Sequence, residues 1–350
     1  MCRRIVGLIC LLFTTFTLRS QPFVFFWNTE NWFDTADDPL TADEEFTPRG
    51  EKHWTRRRLQ RKTSAVAKTI AAAADRYGDF PTVVAFAEVE NRRVLYGLLH
   101  DTPLEKLDYE IIHRDGPDRR GIDVAMLYRR EQFQPLRVES LTVPTDPPTR
   151  DILYVKGVMK SKAGTKTALF VPDSQKNPKR AQNRGFSCPD TLHLIVVHWP
   201  SKMGGAQASQ ARREAAAATV KHITDSLRGC FARNGPLSER SAIVVTGDFN
   251  DTPDHVDLDL DNLALPLAAE GRGTLRFRGN WELIDQFHTV SRQPLAMDIF
   301  APDFLLEQDK AYCGRKPKRT WLGPRYNGGV SDHLPIVLLP APDAGEPPTF

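Results

Sequence analysis

The chain has 350 residues, 41% of them hydrophobic and 26% charged, a balance that excludes a disordered or fibrous protein. The formal charge is +3, but Arg3, Arg4 and Arg19 lie in an N-terminal segment that reads as removable, and without them 44 basic residues face 44 acidic ones. A balanced chain makes no long-range field of one sign, so a globally basic nucleic-acid binder is excluded and any polyanion must be met by local patches.

Residues 1–20 combine Arg3 and Arg4, an apolar run from Ile5 to about Leu18, and a small residue, Ser20. This is the pattern of a secretory signal peptide and implies a secreted or periplasmic protein, with an uncleaved N-terminal anchor as the alternative. The run is shorter than the roughly 20 residues that span a bilayer. Ile9 stands before Cys10 where a lipoprotein site needs a small residue. Residues 21–340 read as a single mixed domain and 341–350 as a tail.

Phe23 to Trp27 is the first expected strand, and Arg56 to Ala74 the first helix, with Leu59, Val66, Ile70 and Ala73 at three- and four-residue spacing and a basic face read as solvated. Strands follow at Thr82 to Phe86, Tyr109 to His113, Val124 to Tyr128, Ile152 to Met159 and Leu192 to His198. A second helix, Ala208 to Leu227, precedes strands at Ala242 to Thr246, Met297 to Phe300 and Ile336 to Leu339. Most are continuous β-branched and aromatic runs, as expected of strands buried on both faces. Lys160 to Pro189 breaks the rhythm as a long loop with seven basic residues and one acid, Asp173. Loops of that length are either functional or disordered, and a functional one could supply phosphate contacts. Cys188, Cys230 and Cys313 remain after the signal, which allows one disulfide and no disulfide framework.

Polar residues gather at the strand ends, where a sheet brings distant positions to one rim. Asn28 follows the first strand, and Glu88 closes Val83-Val84-Ala85-Phe86-Ala87. A carboxylate there suits Mg²⁺ or Mn²⁺, hard ions that take carboxylate, water and phosphate oxygens; a capping or salt-bridged glutamate is the bland alternative. Asp123 enters an apolar strand, His198 closes Leu194-Ile195-Val196-Val197, Asp248 and Asn250 follow Ile243-Val244-Val245-Thr246-Gly247, and Asp285 follows Leu283-Ile284. Ser331-Asp332-His333 precedes the last strand. A carboxylate beside a histidine fixes its tautomer and stabilises the imidazolium, which makes a general base.

In order, Asn28-Thr29-Glu30-Asn31, Ala87-Glu88-Val89-Glu90-Asn91, Gly121-Ile122-Asp123-Val124-Ala125, His198-Trp199-Pro200-Ser201, Gly247-Asp248-Phe249-Asn250-Asp251, Ile284-Asp285 and Ser331-Asp332-His333-Leu334-Pro335 resemble the endonuclease/exonuclease/phosphatase superfamily, from about Phe23 to Leu339. The resemblance implies an α/β, four-layer α/β/β/α sandwich with two mixed β-sheets, deoxyribonuclease I-like, and one divalent-metal site. It makes Glu88 the principal metal ligand with Asn28 and Asp332 beside it, and Mg²⁺ or Mn²⁺ the ion, with Ca²⁺ a third candidate. It makes His333 the base oriented by Asp285, and Asp248 and Asn250 the pair at the scissile phosphate. His198 with Asp123 resembles a second histidine–carboxylate pair, with His198 also on a phosphate oxygen, and Arg150 sits where nuclease members contact phosphate.

Glu90 departs from the arginine that nuclease members often place there and is expected to repel a polyanionic backbone. Ile284-Asp285-Gln286 departs from the inositol polyphosphate phosphatase pattern. The leading expectation is a secreted, metal-dependent phosphodiesterase, an endonuclease acting on DNA or RNA. A sphingomyelinase-like phospholipid phosphodiesterase is the enzyme alternative and would need an apolar element for a bilayer, for which Leu295 to Leu306 is considered, although core packing is its expected role. A catalytically silent binding module is the non-enzyme alternative. The acidic stretch Asp251 to Asp261 lacks the glycine and terminal glutamate of an EF-hand.

Overall fold

The computed structural model describes residues 24–160, 191–202, 205–234 and 241–341. The expected signal segment, all of the basic loop beyond Lys160, Cys188 and all but the first residue of the tail lie outside the described residues. Two six-stranded mixed sheets form the centre. In the first, β1 (Val24–Trp32) pairs in parallel with β2 (Val83–Val89) and antiparallel with the strand Ile336–Pro340. The strand Leu295–Ile299 lies outside Ile336–Pro340, and β4 (Asp123–Arg129) and β3 (Tyr109–His113) lie beyond β2. The second sheet runs β5 (Phe133–Leu141), β6 (Ile152–Met159), β7 (Thr191–His198), β8 (Ser241–Asp248), then Asp285–Ser291 and Asp261–Asn262.

Alternation along the strands explains the layers. On β7, Leu192, Leu194 and Val196 join the main core with strands of the first sheet, while Ile195 and Val197 pack with Ile243, Val245, Ala216 and Val220. The last two belong to α3 (Ala206–Asn234), so one face of the sheet meets its partner sheet and the other a helix. α1 (Arg56–Tyr77) covers the first sheet with Val66, Ile70 and Ala73 and ends where Gly78, at φ 86°, bonds back to the Ala74 carbonyl. The architecture is the expected α/β/β/α sandwich.

Several elements differ from the sequence reading. β1 runs on to Trp32 through a register shift, with Glu30 and Asn31 at positive φ. β5 was not anticipated, because its edge position leaves Gln134, Leu136 and Arg137 exposed and its pattern mixed. The short helix α2 (Arg92–His100) was missed too, although the Asn91 side chain caps it by accepting from the Arg93 and Val94 N–H groups. Asp285 opens a strand instead of closing one. Leu295 to Leu306 contributes Met297, Ile299, Phe300 and Leu305 to the core, as expected. Among the described residues no helix is long and apolar enough to cross a membrane.

Candidate active site

Strand register assembles one wall of the site. β7 and β8 pair in parallel with His198 opposite Asp248, and β8 pairs antiparallel with the next strand, Asp248 opposite Asp285. Three ionisable side chains thus reach the same edge from neighbouring strands. Gly247 permits the close pairing, since a Cβ there would lie 2.0 Å from the Val197 carbonyl oxygen.

The first sheet supplies the opposite wall. Glu88 has φ 63°, the left-handed region that costs a non-glycine residue energy and recurs at functional sites. Its Oε2 accepts from the Asn31 N–H at 2.6 Å. Asn28 is buried, its Oδ1 accepts from the Glu30 N–H at 3.0 Å, and its Nδ2 donates to Asp248 Oδ2 at 2.9 Å and lies 3.5 Å from Glu88 Oε1. The backbone N–H requires an oxygen, which turns the amide nitrogen toward both carboxylates. Asn28 is therefore placed as a donor bridging Glu88 and Asp248, not with its oxygen toward an ion.

His333 stands between the walls. Its Nδ1 is 2.7 Å from Asp285 Oδ2, its backbone N–H donates to Ser331 Oγ at 2.9 Å, and its carbonyl accepts from Trp27 Nε1 at 2.9 Å. Thr274 Oγ1 donates to the same Asp285 oxygen. The free Nε2 faces Asp248 Oδ2 at 3.9 Å and Asp332 Oδ1 at 4.0 Å. Burial opposes charging the ring, but Asp285, Asp248 and Asp332 outweigh it and hold the pKa well above the usual histidine value. Asp248, 2% exposed, is pushed up to about 7 by burial, against the lowering effect of His333.

His198 Nε2 lies 3.6 Å from Asp248 Oδ2 and 3.9 Å from Glu88 Oε1. Burial first, then Arg150, Arg120 and His333, keep it neutral by lowering its pKa well below the usual value. The expected pairing with Asp123 is not formed: Asp123 Oδ2 accepts from the Gly116 N–H at 3.0 Å and faces His113 at 4.0 Å. The family resemblance joins the two, but here Asp123 opens β4 and its carboxylate is taken by the loop that connects β3 to β4. Arg150 and Asn250 meet at one acceptor, both donating to the Trp199 carbonyl at 2.9 Å, while Arg150 also binds Asp118 at 3.0 Å. Asn250 donates its backbone N–H to Asp248 Oδ1 at 2.8 Å. Glu90 differs from its expected role too. It is buried, accepts from the Asp34 N–H, and desolvation pushes its pKa up to about 8, so it presents no steady negative charge to a polyanion.

A cation network behind the site escaped the sequence reading. Lys62, read as part of a solvated face, is 2% exposed and donates to the Glu30 carbonyl, Thr320 Oγ1 and the Val330 carbonyl at 2.6, 2.7 and 2.8 Å. Glu30 Oε2 accepts from the Thr320 N–H at 2.6 Å, and Arg319 bridges Glu30 Oε1 at 3.1 Å to Asp332 Oδ2 at 2.9 Å. Burial lowers Lys62 to about 8 and raises Glu30 to about 7. The acceptors stand more than 250 residues from Lys62 along the chain except for Glu30, so only an apolar neighbourhood around one helical lysine could have signalled it.

The donor set suits a hard cation. Glu88 and Asp332 offer carboxylates that remain partly exposed, 14% and 25%, at a rim where Asp248 and Asp285 add further buried acid. Asp248, Asp285 and His333 have donor atoms within 4.8 Å of one another. Both Asp248 oxygens, Asp285 Oδ2 and His333 Nδ1 are engaged by Asn28, Asn250, Thr274 and each other, which fits proton handling, while Asp285 Oδ1 is buried without a hydrogen-bond partner.

Residues 23–171 and 182–340 match the pattern of the Endonuclease/Exonuclease/phosphatase family. No match is found among curated proteins. Among solved structures, truncated Caenorhabditis elegans TDP2 is 14% identical, with 92% of this chain and 98% of that chain covered at a TM-score of 0.52. A second C. elegans TDP2 structure is 13% identical, covering 92% and 75%, at 0.51. The mannosyl-6-phosphatase Bt3783 of Bacteroides thetaiotaomicron VPI-5482 is 14% identical, covering 90% and 98%, at 0.46. At such identities the likeness to the two TDP2 structures is one of fold.

Proposed function

The chain belongs to the endonuclease/exonuclease/phosphatase family, and from that premise we propose that it is a divalent-metal-dependent phosphodiester hydrolase acting on nucleic acid, secreted or periplasmic, with His333 as the general base. The observation that carries this reading is the 2.7 Å contact of His333 Nδ1 with Asp285, which leaves Nε2 facing the cleft between Asp248 and Asp332.

Asp285 fixes the His333 tautomer and stabilises the imidazolium once Nε2 has taken a proton from water. Asp248, held by Asn28 and Asn250, lies where it aligns that water or the scissile phosphate. Neutral His198 offers an N–H to a phosphate oxygen without bringing a charge that burial would penalise. Arg150 contributes a fixed positive charge beside it. Glu88 and Asp332 would hold the cation, which when bound supplies positive charge against phosphate oxygens and against the carboxylates that retain the His333 proton.

Two alternatives lose support. Leu295 to Leu306 is packed in the core, which leaves the bilayer-entering reading without that element. A silent module would show a lost base or metal carboxylate, and every such position is filled. The test is one panel: supercoiled DNA, single-stranded DNA, RNA, sphingomyelin and a small phosphodiester, each with Mg²⁺, Mn²⁺, Ca²⁺ or chelator. The reading expects chelator-sensitive cleavage of DNA or RNA. Hydrolysis of sphingomyelin alone, or equal activity in chelator, would overturn it.

A further inference from the structure

The hairpin joining β3 to β4 carries a second group of titratable side chains. His113 closes β3, Asp115 stands in the connecting loop, Asp123 opens β4, and one donor atom from each lies within 4.8 Å of the others. His113 Nδ1 is 3.8 Å from Asp115 Oδ1 and its Nε2 is 4.0 Å from Asp123 Oδ2, too long for hydrogen bonds. The His113 side chain is only 2% exposed, and its buried Nε2 has no hydrogen-bond partner. Buried ring nitrogens normally have one, so this orphan points to a ligand.

Charge points the same way. Desolvation, with smaller contributions from Asp115, Asp118 and Asp151, pushes the Asp123 carboxyl up to about 7 against the lowering bond from Gly116. Burial lowers the His113 pKa, so the imidazole brings no compensating charge. Arg150, the buried cation of this region, is committed to Asp118. Asp151 Oδ1 is a second buried atom without a hydrogen-bond partner. Among the described residues, Asp115, Asp123 and Asp151 thus have no cation paired with them here, Arg150 being taken by Asp118, and an uncompensated buried charge is costly.

We propose that His113, Asp115 and Asp123 form a second divalent-cation site, distinct from the cleft and of the mixed imidazole and carboxylate chemistry that Mn²⁺ and Zn²⁺ accept. Ligands bound at about 2.1 Å in tetrahedral array stand roughly 3.4 Å apart; Asp123 Oδ2, 4.0 Å from Nε2, is close to that spacing, and the exposed Asp115 carboxylate, which stands beside Nδ1, would swing toward Nε2 to complete the set. The loop so pinned contains Asp118, the partner of Arg150, so an ion here orders the segment that anchors an arginine of the cleft. The site stands on its own observations and does not depend on the proposed hydrolase activity.

The test uses Mn²⁺ on the full chain after chelator treatment, in a Glu88→Gln background that removes the principal carboxylate of the cleft. Binding is followed by titration and pulsed electron paramagnetic resonance. The expected result is one Mn²⁺ with coupling to a nitrogen nucleus. His113→Gln should abolish that coupling, and both His113→Gln and Asp115→Asn should weaken binding at least about tenfold, the scale seen even for groups that merely support a ligand. Asp115, whose side chain is 87% exposed, guards against a folding artefact. Absence of Mn²⁺ binding in the Glu88→Gln background, or binding unchanged in both variants, would overturn the proposal.

Discussion

The two walls of the cleft are built on different principles. The second-sheet wall is regular: His198, Asp248 and Asp285 are neighbours in an unbroken ladder. The first-sheet wall is irregular, with Glu30, Asn31 and Glu88 all at positive φ and a Lys62–Glu30–Arg319 network holding Asp332 from behind. Proton transfer needs fixed distances between groups, which a ladder supplies from pairing alone. A carboxylate offered to a cation must stay partly solvated while its surroundings are held, and here buried Lys62 holds the Glu30 and Val330 carbonyls while the partly exposed Arg319 holds the Asp332 side chain.

His333→Ala tests the junction between the walls and carries the largest expected effect. Loss of a general base should lower turnover by 10² to 10⁴, with the thermal midpoint little changed; near-normal turnover on every substrate of the panel would remove His333 from the mechanism. Lys62→Met addresses the irregular wall. It leaves the Glu30 and Val330 carbonyls and the Thr320 hydroxyl without their buried donor, at a cost of about 1–3 kcal/mol for each buried group left unsatisfied. Denaturant unfolding should show that loss, together with a raised metal requirement. A cost below about 1 kcal/mol would mean that Arg319 and Thr320 hold Glu30 unaided.

A smaller effect concerns pH and lies in the second sheet. Burial holds His193 and His288 at about 4, against 6.5 when exposed. Because the folded values are depressed, the unfolded chain binds more protons below pH 6.5. Their contribution is complete above that pH and is lost as pH falls from 6.5 toward 4, by up to ~1.4 kcal/mol per pH unit for each ring. His193→Gln, which can keep a bond to the Tyr154 hydroxyl, should flatten the acid limb of the stability profile. An unchanged limb would assign the acid sensitivity to other groups.

The sandwich and most of the ladder wall were legible in sequence because continuous apolar runs ending in His198 and Asp248 fix both the strands and the rim they reach. Asp285 stands out although its strand does not, since Gln286, His288 and Thr289 look like a polar loop and are buried, with Gln286 bonded across to Asn262 and along the strand to His288. The irregular wall was half legible. Glu88 stood out after an apolar run, but no local pattern distinguishes Lys62 from its solvated neighbours. The placement of Asp123 failed for a similar reason, since its contacts are decided by the hairpin loop and not by the strand that carries it.

The division of labour between the walls is tested most directly by measuring turnover against Mg²⁺ concentration for Glu88→Gln and Asp285→Asn on one substrate. Glu88→Gln should shift the metal requirement upward and recover part of its activity at saturating Mg²⁺, since it removes a charged ligand and keeps the shape. Asp285→Asn should lower the maximal rate at every concentration and leave the half-saturating Mg²⁺ in place. If added Mg²⁺ rescues Asp285→Asn, or if Glu88→Gln leaves the metal requirement unchanged, the assignment of cation holding to one wall and proton handling to the other is contradicted.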